Sequence, residues 1–343
     1  MMASKHGLTG SSLVSALLPV YHREIPPVLA VLAQTPPLLR LREVGMNCGC
    51  EYTRFPRFRK IGPYSRYDHS LGVGLIVWHF TGDAAQAAAG LLHDAATPVF
   101  AHVVDFLYGD HLHQTTTEAR TEELIRRSPE LLAALSALDL TVEQVADHHR
   151  YPIADNDTPR LSADRLEYTL GNLVNYGFLS LREAAAFYGD LAVDFNEDGA
   201  QELSFRTPET AAAFALAALQ TSRVYVADED RFSMQVLADL LRVALRRGVL
   251  TAEALIGTEP SVIRKLLDDP VCGPLWQRFC AYEHISSVPA KPPRGQWLQV
   301  PAKLRFIDPL AQGRGRVSSW SPSVRQLLEE FRRTAFDSWL GPV

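Results

Sequence analysis

Apolar positions along the chain recur mostly at helical spacing. Residues 25 to 42 carry an apolar stripe, the stretch from Leu71 to Phe80 is nearly all apolar, and Asp83 opens an Ala-rich helix running to His93. A helix that is apolar on every side belongs in a core, so these are expected to be buried. The same spacing predicts helices over 98–108, 117–127, 129–138, 141–149, 161–174, 180–189, 208–222, 231–247, 260–268, 273–284 and 322–337.

Strand signals come late. Leu191 to Phe195 and Glu202 to Phe205 flank the turn-rich Asn196-Glu197-Asp198-Gly199 and read as a hairpin. A second β-like stretch, Gln296 to Ile307, follows the Pro-rich segment 288–293. Phe306-Ile307-Asp308-Pro309 reads as a C-terminal β element, and Gly313-Arg314-Gly315-Arg316 as a basic, solvated linker before an amphipathic helix ending near Leu340. No period of 20 to 50 residues stands out, which argues against a solenoid. The expected fold is mainly α: a helical core over 1–190 and a helical C-terminal extension over 191–343 carrying a small β-containing lobe.

Composition bounds this picture without changing it. The chain has 343 residues, 47% hydrophobic and 21% charged, enough to bury a sizeable core. It holds no apolar run of 18 residues, and its N-terminus shows no convincing signal-peptide cleavage site, so the expected location is cytoplasmic with no membrane partner. Cys48, Cys50, Cys272 and Cys280 are too few and too irregularly spaced for a disulfide framework or a four-cysteine zinc site. A net charge of -5 argues against a general nucleic-acid surface while leaving room for a local basic pocket.

Chemistry concentrates between residues 66 and 168. Arg66-Tyr67-Asp68-His69 is followed by Leu92-His93-Asp94, and much later by Ser162-Ala163-Asp164-Arg165-Leu166-Glu167-Tyr168. Two imidazoles and two carboxylates form a mixed set for a divalent ion; histidine suits Mn, Fe, Co, Ni or Zn, and carboxylates extend the range toward Mg. His93 and Asp94 point about 100° apart if both are helical, so they reach one ion only near its seam, as at a helix end. His69 begins one helix and Asp164 a later one, so an ion would tie three helices together. A lone histidine beside an apolar helix is more often a hydrogen-bonded core residue; the ordered set with its flanks reverses that.

Arg66-Tyr67-Asp68-His69-Ser70-Leu71-Gly72-Val73, Ala89-Gly90-Leu91-Leu92-His93-Asp94 and Phe100-Ala101-His102-Val103-Val104-Asp105 resemble, in order and spacing, the HD-domain metal-dependent phosphohydrolases. The nearest branch is the deoxynucleoside triphosphate triphosphohydrolases. Arg40-Leu41-Arg42 resembles that branch's entry motif and Asp164 to Tyr168 its last one, so the likeness covers roughly residues 39 to 172. It implies that His69, His93, Asp94 and Asp164 hold the metal. It implies a phosphate contact for Arg66 and Arg165, a sugar or base contact for Tyr168, and water-orienting or proton-transferring roles for Asp105 and His102. The reaction would be attack of a metal-activated water on phosphorus, in a nucleotide or related phosphate ester.

Three departures matter. Where the triphosphohydrolases carry H-D-x-x-H, this chain has His93-Asp94-Ala95-Ala96-Thr97, and the family's later H-E corresponds to Thr117-Glu118. Leu39 replaces the Gln before the entry motif. Triphosphate specificity is therefore in doubt, and a phosphomonoester becomes a serious candidate. Asp147-His148-His149 adds histidines upstream of Asp164, so His113 and His148 are candidates for a second metal. That keeps a di-iron oxygenase open beside hydrolysis, as well as a degenerate metal- or nucleotide-binding regulatory protein. Self-association is plausible, with no feature setting a subunit number.

Overall fold

The computed structural model of the chain describes residues 13–109 and 120–342. Its centre is the helix Arg66–Thr81. Ser65 caps it: its hydroxyl oxygen accepts from the Asp68 amide at 3.1 Å, and the Asp68 carboxylate accepts in return from the Ser65 amide at 3.2 Å. Every residue from Arg66 to Val77 except Asp68 is buried, as an all-apolar pattern requires. The helices Ala84–Leu92 and Ala163–Asn175 pack against it. Asp83 caps the first, accepting from the amides of Ala85 and Gln86 at 2.9 and 3.0 Å, and Ser162 caps the second.

Several predicted elements are shorter or divided. The stripe over 25–42 splits into Pro27–Ala33 and Pro36–Arg40, because Thr35 ahead of a proline takes extended backbone, ψ 148°. The helix predicted over 98–108 starts only at Val103. Phe100 and Ala101 before it have φ of 58° and 45°, a left-handed turn held by the bond from the Val99 amide to the Leu255 carbonyl at 2.8 Å. The helix expected over 141–149 is a single turn, Val142–Val145, followed by a 3-10 turn at His148–Arg150 capped by Asp147. Residues 117–119 lie outside the described residues.

The hairpin forms where predicted, from β1 (Leu191–Phe195) and β2 (Gln201–Phe205), antiparallel with Leu191 opposite Phe205. The other strands are β3 (Ile285–Val288), β4 (Leu310–Ala311), β5 (Gly315–Arg316) and β6 (Trp339–Pro342). One sheet runs β1-β2-β4-β5, with β2 and β4 parallel and β4 and β5 antiparallel; β3 and β6 pair separately. Gln296 to Ile307 is not a strand: only Leu298 forms a bridge, to Leu340, and Pro301 lacks the N–H that a ladder needs. The final helix ends at Arg332, short of Leu340, which lies in β6. Arg316 is no solvated linker residue either. Its guanidinium donates to Glu202 at 2.5 and 2.7 Å and to Glu197 at 2.9 Å, and Glu202 is fully buried.

Two apolar clusters fill the interior. One joins Leu71, Leu91 and Leu166 to Phe205, Phe214 and Phe331; the other joins Phe100 and Phe106 to Phe232, Leu237 and Phe279. Each draws on residues from both sides of residue 190. Mainly helical, with a small sheet region, the fold leaves a cavity of about 240 Å³ whose lining comes from both halves of the chain. No helix among the described residues is long and apolar enough to cross a membrane.

Candidate metal centre and active site

Four atoms, from two helices and the turn that ends a third, face one another at one end of this cavity. His69 Nε2 lies 3.2 Å from His93 Nε2, 3.1 Å from Asp164 Oδ1 and 3.8 Å from Asp94 Oδ2. His93 Nε2 lies 3.6 Å from each of the same carboxylate oxygens. Bonds of about 2.0–2.2 Å to a common ion would put neighbouring donors roughly 3–3.5 Å apart, close to these separations. His93 and Asp94 fall just past the end of the helix Ala84–Leu92, in a turn closed by the Ala95 and Thr97 amides, where two adjacent residues can face one point.

The remaining ring nitrogens are occupied. His93 Nδ1 is 2.7 Å from the Gly90 carbonyl, which only accepts, so Nδ1 carries the hydrogen and Nε2 presents a lone pair. His69 Nδ1 is 2.5 Å from Glu167 Oε2, and the Tyr64 hydroxyl donates to the same oxygen at 2.5 Å. Glu167 is fully buried, and two glycines make room for this arrangement. A Cβ on Gly72 would lie 2.6 Å from Glu167, and one on Gly171 would lie 2.5 Å from the Tyr64 hydroxyl. A carboxylate behind a ligating imidazole orients the ring and raises its basicity.

Burial opposes charge here, and the neighbours override it. It would lower His69, yet the carboxylates of Asp164 and Glu167 push that imidazole up to about 10. It would raise Asp94, yet Arg66, His93 and His69 hold that carboxyl well below the usual range, and Asp164 is held down by His69 and His93 in the same way. His69, His93 and Asp94 thus form a group with metal-ligand spacing, and Asp164 adds a second ionised carboxylate 3.1 Å from His69, a donor set that fits a divalent cation.

The other predicted residues fall at different depths. Arg66 is buried and lines the cavity, and its guanidinium donates to Asp94 at 2.7 Å. Arg165 and Tyr168 line the cavity, with Arg165 3.2 Å from Asp155. His102 lines it too, while Asp105 lies wholly buried behind, accepting from His102 Nδ1 at 2.9 Å; its geometry is that of a positioning group. Thr97, which stands where the triphosphohydrolase pattern has a histidine, donates its hydroxyl to Asp94 Oδ1 at 2.6 Å. His111, His113 and Thr117 lie outside the described residues.

His148 lines the cavity with its ring 5.2 Å from that of His93, and burial together with His93 and His149 lowers it to about 4. It gathers with His149 and Asp155 into a second group with metal-ligand spacing, His149 Nδ1 being 2.8 Å from Asp155. Sequence reasoning missed Asp155, Glu167 and Tyr64, and also Lys303 and Arg305, which line the cavity from far along the chain. Glu167 alone left a signal: it stands one helical turn after Asp164, on the same face.

No family model matches the chain. It is 28% identical over 205 residues to the uncharacterized protein YdhJ of Bacillus subtilis, which is 59% of this chain and 61% of that protein. It is 27% identical over 162 residues to the metal-dependent phosphohydrolase cns2 of Cordyceps militaris, 46% of this chain and 44% of that one. The matched stretches thus span less than two thirds of either relative. In fold it is similar to a phosphohydrolase of Bacteroides thetaiotaomicron of known crystal structure, with a TM-score of 0.61 and 15% identity over 92% of this chain and 96% of the other. The named relative supports a metal-dependent phosphohydrolase in general terms, and the solved structure shows a shared, mainly helical fold.

Proposed function

We propose that the chain is a metal-dependent phosphohydrolase acting on a nucleotide or related phosphate ester, with His69, His93, Asp94 and Asp164 as its metal ligands. One observation carries this: two imidazole Nε2 atoms 3.2 Å apart, flanked by two carboxylates held ionised, an arrangement that calls for positive charge at its centre. A divalent ion bound there supplies Lewis acidity, lowering the pKa of water and neutralising charge on phosphoryl oxygens. The chain's own residues do the rest. Glu167 and the Gly90 carbonyl fix the two rings. Arg66 and Arg165 face the cavity with guanidiniums that stabilise developing phosphate charge. Burial lowers His102 despite its bond to Asp105, so it is neutral at pH 7 and able to take or give a proton.

The adjacent His148, His149 and Asp155 favour a second ion beside the first. Metal analysis of the purified protein, with phosphate release from mono-, di- and triphosphates in Mn, Co, Ni or Mg, tests both points. Fully metallated protein that releases no phosphate, pyrophosphate or triphosphate from any substrate would refute the hydrolase reading. Oxygen consumption dependent on Fe(II) would favour an oxygenase.

A further inference from the structure

The cavity has a wall that belongs to no helix. From Gln299 to Pro309 the chain runs without helix or strand and is pinned at both ends. At one end Leu298 exchanges backbone bonds with Leu340 at 2.9 and 2.7 Å, and the buried Val300 offers its carbonyl to Arg231. At the other, the Asp308 amide donates to the Pro159 carbonyl at 2.9 Å, and its carboxylate accepts from the Ser318 amide and hydroxyl at 2.9 and 2.5 Å. Between the pins side chains alternate: Leu304 and Phe306 pack onto the apolar core, while Lys303 and Arg305 line the cavity. That is the period of two of an extended chain, one face buried and the other turned to the site.

Charge shows what this strap changes. Four carboxylates line the cavity, Asp94, Asp155, Asp164 and Asp230, against three arginines outside the strap, Arg66, Arg165 and Arg231. Without the strap the lining side chains hold four acids and three bases, and Lys303 and Arg305 raise the bases to five, adding positive charge on the wall facing the proposed ion. Arg305 also lies within electrostatic reach of His102, Tyr168, Tyr225 and Asp230, all lining residues, so it is turned inward.

We propose that Lys303 and Arg305 are substrate-binding residues, a clamp that holds the oxygens of a dianionic phosphate group in the cavity through charge-assisted hydrogen bonds. This rests on the phosphohydrolase reading for the reaction but not for the binding. The strap selects substrates ending in a phosphate monoester over diesters, which offer one charge fewer.

The test uses the metal-loaded full chain and inorganic phosphate as the probe, titrated calorimetrically. The double variant Lys303→Gln with Arg305→Gln is expected to bind phosphate about a hundredfold more weakly with metal content unchanged, and its KM for phosphate monoesters rises more than its kcat falls. The charge-conserving pair Lys303→Arg with Arg305→Lys is expected to stay within a few fold of wild type, which separates lost charge from lost folding. Should the doubly neutral variant misfold, the single Lys303→Gln, at an exposed side chain, still loses about tenfold. Wild-type phosphate affinity in either neutral variant, or no phosphate binding by wild type, overturns the proposal. Strap-dependent phosphate binding without hydrolysis of any ester sustains the clamp and overturns the hydrolase reading instead.

Discussion

Among the described residues, two groups of largely buried carboxylates are held in opposite states. Around His69, burial raises the pKa of Asp94 and Asp164, but two imidazoles and Arg66 outweigh it and both acids stay ionised. Around Gly45, Glu51 and Glu259 converge with no base among their hydrogen-bond partners. Glu259 accepts from the Gly45 amide at 2.8 Å and from the Tyr52 hydroxyl at 2.6 Å, and Glu51 Oε2 is buried with no hydrogen-bond partner. Burial and the proximity of Glu259 push Glu51 up to about 8, and Glu259 is raised as well. A buried acid can be balanced by a fixed cation or by its own proton, and only the first kind leaves charge for a metal.

The contrast breaks most sharply at Asp94. Asp94→Ala removes an anionic donor, and is expected to lose metal from the purified protein and to lower phosphate release by about a thousandfold or more; elemental analysis showing full occupancy would end the assignment. Glu167→Gln keeps size but removes the charge behind His69, so metal affinity should fall about 10- to 100-fold in a direct titration, and unchanged affinity would mean that Glu167 only fills space.

The Gly45 group is tested through pH. Glu51 binds its proton up to about 8 in the folded chain but releases it near the ordinary 4.5 when unfolded. Its contribution is therefore fully present below the unfolded value and lost as pH rises through 8. Glu51→Gln should flatten that loss, gaining on the order of 2 kcal/mol over wild type at pH 9 and little at pH 5. Denaturation curves at both pH values that shift equally would contradict it.

The smallest effect is expected at Arg66. Arg66→Ala takes a positive charge away from Asp94, which cannot weaken a cation's hold on that carboxylate, so metal content should be unchanged while KM rises about tenfold. Loss of metal would show that Arg66 holds Asp94 in place and does not serve substrate.

How much of this was legible depends on distance along the chain. His69, His93, Asp94 and Asp164 stood out by order and flanking residues, and the structure brings them together. The hairpin at 191–205 was readable because its turn and alternation are local. Arg66 was noticed, but its partner was not, since Asp94 approaches only when two helices pack. Gln296 to Ile307 has the composition of a strand, yet it meets β6 only at Leu298, and Pro301 lacks the N–H that would continue the ladder, which leaves it an irregular strap.

The sequence by itself determined that the chain is mainly helical, that Asp83 opens a helix, and which four side chains are suited to a divalent ion, because these follow from periodicity and residue chemistry within a few turns. Tertiary structure alone decided that Gly72 and Gly171 admit Glu167 and Tyr64 behind His69, that Thr97 braces Asp94, and that Lys303 and Arg305 reach the cavity. Those outcomes depend on how closely packed elements approach and which charges survive burial, and neither is encoded in spacing along the chain.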